Sequence, residues 1–128
     1  MTAKQKTNVV KTFSVCRYQI VITRLQSRFD ESESYIINIL SHDSVKTVIF
    51  ELKQSTAVMK TSSLESKLFL EGRELSRVRA KVELLLDSSK LFAEELFELI
   101  LLFDFVDVEL FKTVTKLLFC VRGVTTDK

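Results

Sequence analysis

The chain has no proline and only two glycines, Gly72 and Gly123, where ordinary usage over 128 residues gives about six and about nine. Turn-rich β architectures use those residues for tight reversals and positive φ, so their scarcity points to helices joined by Ser and Asp caps. Tryptophan is missing too, and two tyrosines stand against ten phenylalanines. Phenylalanine has no polar tip to satisfy, so the aromatic content belongs to a core more than to a display surface.

Chemistry-bearing residues are equally sparse. The single histidine, His42, sits beside Asp43 with Ser41 and Ser44 around it, which are the residue types of a hydrolytic triad. Neighbours in sequence do not take up base and orienter geometry, and no G-x-S-x-G elbow is present. Cys16, His42 and Cys120 are scattered, while Asp104, Asp107 and Glu109 lack the glycine-bearing loop of an EF-hand. Two isolated glycines cannot build a phosphate-cradling loop. Glu94, Glu95 and Glu98 fall on the outer face of the helical pattern and form no acid/base pair. No catalytic, cofactor-binding or metal-binding residue is therefore expected, and the protein is not expected to be an enzyme.

Cys16 and Cys120 lie 104 positions apart on apolar stripes, which reads as two free buried thiols and an intracellular, reducing compartment, cytoplasm or nucleus. No secretory signal is visible. Nor is a transmembrane span expected, because no uncharged run within residues 91–121 exceeds the five residues of Leu99–Phe103.

What the chain does have is apolar residues, 46% of the total, in helix-like spacing. One domain is expected over residues 8–123, between a disordered tail at 1–7 and a polar tail at 124–128. The periodicity predicts an all-α bundle of four to six antiparallel helices over 8–28, 32–40, 44–60, 63–86 and 89–122, the last of them one helix or, with Asp104 or Asp107 as a new cap, two. Ser62 and Glu65 have capping-box spacing ahead of the fourth, with Gly72 in its interior. The alternative fold is α+β with a strand near 45–52, since Val48, Phe50 and Leu52 alternate within KTVIFEL. The run Ile20-Val21-Ile22-Thr23 also suits a strand.

Charge is graded along the chain. Residues 1–60 carry +4, residues 61–90 carry +1 and residues 91–128 carry −3. The first 29 residues hold no acid, and their basic residues include Arg17, Arg24 and Arg28. Such a helix fits an organelle-targeting segment, the alternative localisation, or a nucleic-acid contact. Arg73, Arg77 and Lys81 recur every four residues, a stripe suited to an anion or an acidic partner. Its plainer reading is a solvated face bridging to the acidic last third.

The segment 91–121 is apolar around too much of its circumference for a surface helix. Phe92, Leu96, Leu99, Phe103, Val106 and Leu110 form one stripe, and Phe97, Leu101, Phe105, Val108, Phe111 and Phe119 lie off it. The order of a long helix, a cap and an acidic-apolar helical pair (RVRAKVELLLDSSKLFAEELFELILLFD) is faintly similar to three-helix co-chaperone modules of the BAG type. Residues 107–122 offer only Lys112, Lys116 and Arg122 as bases, and no residue roles are carried over. The expected function is a non-enzymatic interaction or adaptor module, or a small subunit of an assembly. Phe97, Leu101, Phe105 and Phe111 are its candidate contacts to a protein partner or a second copy. The alternative is nucleic-acid association through the basic N-terminal helix and the Arg73/Arg77/Lys81 stripe.

Overall fold

A computed structural model describes residues 6–123 apart from 28, 30 and 88. The expected all-α bundle is wrong: the fold is α+β, a six-stranded antiparallel sheet followed by three helices. The strands are β1 (Lys6–Val15), β2 (Tyr18–Ser27), β3 (Glu33–Ser41), β4 (Ser44–Leu52), β5 (Thr56–Lys60) and β6 (Glu65–Phe69), each paired with the next. The stretches predicted helical at 8–28, 32–40 and 44–60 are therefore strands. The stretch 45–52, where the α+β alternative places one, lies in β4.

The physical reason lies in side-chain shape. Ile20, Ile22, Ile37, Ile39 and Val48 are stiff at χ1 and pack well on a pleated surface. Together with Tyr35, Phe50, Leu52, Ala57 and Met59 they form one buried face of the sheet. Reversals are made without the missing glycines. Cys16 (φ 57°) and Glu31 (φ 55°) take left-handed backbone conformations between strands. At the β3–β4 turn the Ser41 hydroxyl donates to Asp43 Oδ1 at 3.2 Å and lies 2.9 Å from the Ser44 hydroxyl.

The helices are α1 (Gly72–Asp87), α2 (Ser89–Leu102) and α3 (Val108–Val121). Residues 65–69 of the helix predicted over 63–86 are strand instead, and Gly72 opens α1 at φ 54°. The Ser62/Glu65 pattern caps nothing. Thr61 Oγ1 accepts from the Ser63 and Leu64 amides and shapes the β5–β6 turn.

All three helices cross the same face of the sheet, and their contacts give the direction of each. Arg79 of α1 donates to Glu33 of β3 at 3.3 Å, at the end of the sheet where β2 joins β3. In α2, Phe92 meets Phe13 of β1, and just past its end Phe103 meets Phe50 of β4, so α2 runs across the sheet away from the β1 edge. The chain then returns. Asp107 accepts from Thr61 at the β5–β6 turn, and Cys120 near the end of α3 is disulfide-bonded to Cys16 in the β1–β2 turn. The cysteines are thus bonded and exposed, not free and buried.

Tyr35 is fully buried on the inner face of β3, with Arg24 as its partner on β2. Burial first, and then the Glu33 carboxylate, push its pKa up to about 12, against the opposing pull of Arg24. The folded protein thus holds this proton above pH 10, where an unfolded tyrosine releases it. The Tyr35 contribution to stability is intact below pH 10 and is lost as the pH rises towards 12, by about 2–3 kcal/mol. Tyr35→Phe is expected to remove that loss while changing stability at pH 7 by less than about 1 kcal/mol. Urea unfolding of both proteins between pH 9 and about 12 measures it, and equal slopes would refute the assignment.

Candidate functional site

A cleft opens in the surface where α2 turns into α3. Leu102 ends α2, and Asp104 takes φ 52° just beyond it. The Asp104 amide donates to the Leu101 carbonyl and the Phe105 amide to the Ile100 carbonyl. This is a Schellman closure with aspartate at the left-handed position where glycine is usual. Asp107 then caps α3: its Oδ1 accepts from the Leu110 amide at 3.1 Å and its Oδ2 from Thr61 at 2.7 Å. The segment 89–122, which the sequence leaves open as one helix or two, is two, and the corner between them is fixed at both ends.

The corner encloses a cleft of about 320 Å³ lined by Ile100, Leu101, Asp104, Phe105, Val106, Asp107, Val108 and Phe111. Its size is at the small end of ligand pockets, which run from roughly 300 to 1,000 Å³. Phe105 forms a buried floor at 5% exposure, while Leu101 (60%), Val106 (76%), Val108 (64%) and Phe111 (42%) stand open to solvent around it. Two carboxylates, Asp104 and Asp107, are the only charges in the lining.

Three of the four residues expected to meet a partner, Leu101, Phe105 and Phe111, line this cleft. Phe97 does not, but its ring lies 5.8 Å from that of Phe111 and supports it from α2. Phe105 is buried by the chain itself, whereas Leu101 and Phe111 are exposed. Val106 was missed. Its place in the stripe with Phe103 and Leu110 assigned it to the core, and the chain reversal at 103–107 turns it outward. The signal was Asp107, a residue type suited to capping a new helix, which here caps α3.

The basic residues are not drawn together. Arg17 lies in the β1–β2 turn, and Arg24 lies six residues along β2, roughly 20 Å at strand rise, beside Tyr35. Arg28 is outside the described residues. Lys81 is engaged with Glu98 and, at 3.5 Å, with Glu95, which raises its pKa, chiefly through the Glu98 hydrogen bond. Part of the basic stripe is thus the bridge to the acidic α2 that its plainer reading predicts. Arg73 and Arg77 are exposed and make no ion pair among the described residues. The basic N-terminal helix does not exist, since its residues form β1 and β2.

No family model, curated protein or solved structure matches this chain. Function therefore has to be argued from the surface itself. His42 is exposed on the β3–β4 turn with Asp43 4.0 Å away. Among the described residues no cluster of three or more His, Cys, Asp or Glu side chains is arranged to hold a metal ion, and no helix is long and apolar enough to cross a membrane.

Proposed function

We propose that this protein is a non-enzymatic interaction module whose α2–α3 corner receives an apolar segment of a partner protein, flanked by lysine or arginine. The observation that carries the reading is the cleft itself: six apolar side chains around a pre-formed opening, four of them exposed, on a corner pinned by the Asp104 and Asp107 backbone devices. Burying such side chains on a partner supplies affinity at roughly 25 cal/mol per Å² before the costs of association. A groove between helices suits an amphipathic helix anchored by one or two large side chains. The charge of that helix follows from the lining, where Asp104 and Asp107 form no ion pair among the described residues.

A synthetic helix of leucine and lysine serves as probe, with the same pattern in leucine and glutamate as control. The lysine peptide is expected to bind and the glutamate peptide to bind far less. Leu101→Asp should weaken the lysine peptide by about 2 kcal/mol, roughly 30-fold, without altering the circular dichroism spectrum. Fluorescence anisotropy measures all three. Equal binding of the two peptides, or binding indifferent to Leu101→Asp, would remove the corner from consideration.

A further inference from the structure

The two edges of the sheet are built differently. β6 has five residues, two of them charged, Glu65 and Lys67, and short charged edges resist strand addition. β1 has ten residues, pairs with β2 from Lys6↔Ser27 to Val15↔Tyr18 without a bulge, and contains no proline. Between Thr7 and Val15 its one charge is Lys11. The usual guards of an edge are thus nearly missing from the longer one.

The direction of its free groups follows from the hairpin. Val15 and Tyr18 close a two-residue turn, so they form a hydrogen-bonded pair, and in an antiparallel ladder such pairs alternate with open ones. The amides and carbonyls of Asn8, Val10, Thr12 and Ser14 therefore point away from β2. Among the described residues no other backbone group meets them. On the outer face of the sheet, Val10, Thr23, Ile36 and Ile49 stand in one row across four strands. The row ends at the edge on Val10, which is 59% exposed.

We propose that β1 pairs antiparallel with β1 of a second copy about a two-fold axis through Val10. That register sets Val10 against Val10, Asn8 against Thr12 and Lys6 against Ser14, so the outward hydrogen-bonding groups of each strand meet those of the other. Lys11 falls opposite Val9, and no like charges face each other. The apolar outer row continues across the seam, and the two sheets become one of twelve strands. This interface is separate from the α2–α3 corner, and each stands without the other.

Light scattering from micromolar to millimolar concentration tests it. The wild-type mass is expected to rise from 14.8 kDa towards twice that value. Val10→Lys, which sets two ammonium groups face to face at the axis, should hold the monomer mass with an unchanged circular dichroism spectrum, and Leu101→Asp should leave the dimer intact. Amide hydrogen exchange provides a second readout on the unmodified chain: the Val10 and Thr12 amides should slow at least about tenfold as concentration rises. A monomer at every concentration, exchange at those amides independent of concentration, a dimer untouched by Val10→Lys, or one dissolved by Leu101→Asp would each overturn the proposal.

Discussion

Reduction of the Cys16–Cys120 disulfide is expected to lower the unfolding free energy by about 4 kcal/mol. The bond joins residues 104 positions apart, so it closes a loop over most of the unfolded chain, and loop-closure entropy for that length gives about 4.7 kcal/mol. Its Cα–Cα distance of 6.4 Å lies within the ordinary range for a disulfide. What remains to hold the end of α3 after reduction includes the contacts of Val114, Leu117, Leu118 and Val121 with the core and the exposed Arg122–Glu94 pair. Such a pair contributes less than about 1 kcal/mol. Cys16 also sits at φ 57°, a left-handed conformation that costs a non-glycine residue on the order of 1–2 kcal/mol and that the tether helps to impose. Thermal unfolding with and without dithiothreitol should therefore differ by about 10–20 °C. Cys120→Ser should reproduce the reduced curve under both conditions. Coincident curves for the wild type would show that the thiols are not joined.

Phe103→Ala is expected to cost about 3–5 kcal/mol, against less than about 1.5 for Phe97→Ala. The two phenylalanines are six positions apart in one apolar run, yet they do different work. Phe103 is 1% exposed, meets Phe50 of the sheet edge-on at 5.9 Å, and its carbonyl accepts from Ser66 at 2.8 Å. Truncation removes an entire buried ring and leaves a cavity between the layers, next to the Asp104 turn that shapes the cleft. Phe97 is half-buried at the rim of the core and touches Phe111. The space left by its loss stays open to solvent, so the cost is smaller. Urea unfolding of the two variants separates them, and similar costs would mean that the inward and outward faces of α2 have been assigned the wrong way round.

The first half of the fold was misread for a reason visible in particular residues. The central strands carry apolar side chains on both faces: Ile36 and Ile49 lie half-buried on the outer side, between Tyr35 and Ile37 and between Val48 and Phe50, which are buried on the inner. Alternation is blurred by that pattern, and a short run apolar on both faces fits a helix as well as a strand. The scarcity of glycine then weighed towards helices. Cys16 and Glu31 show why it should not have, because residues other than glycine take the left-handed turn positions when a disulfide or the packing around them enforces it.

The second half was more legible. Phe92, Leu96, Leu99, Phe103, Leu110, Val114 and Leu117 share a stripe, and all are buried against the sheet even though the helix breaks between them. The phase survives the break because α2 and α3 lie side by side on one surface. That continuity hid the corner, and with it the exposure of Val106. The apolar surplus of residues 91–121 did point to the neighbourhood of the cleft, since an excess on a second helix face must meet either the chain or a partner. The disulfide was not legible at all, because its two cysteines come together only through the crossing of α3 over the β1–β2 turn.

The most direct test of the account is amide and methyl NMR of the wild-type protein titrated with the leucine–lysine helix. Perturbed resonances are expected to cluster at Leu101, Val106, Val108 and Phe111, with Arg73 and Arg77 of α1 and Val10 of β1 unmoved. A footprint centred on Arg73 and Arg77, or on the β1 edge, would contradict the assignment of the α2–α3 corner as the binding surface.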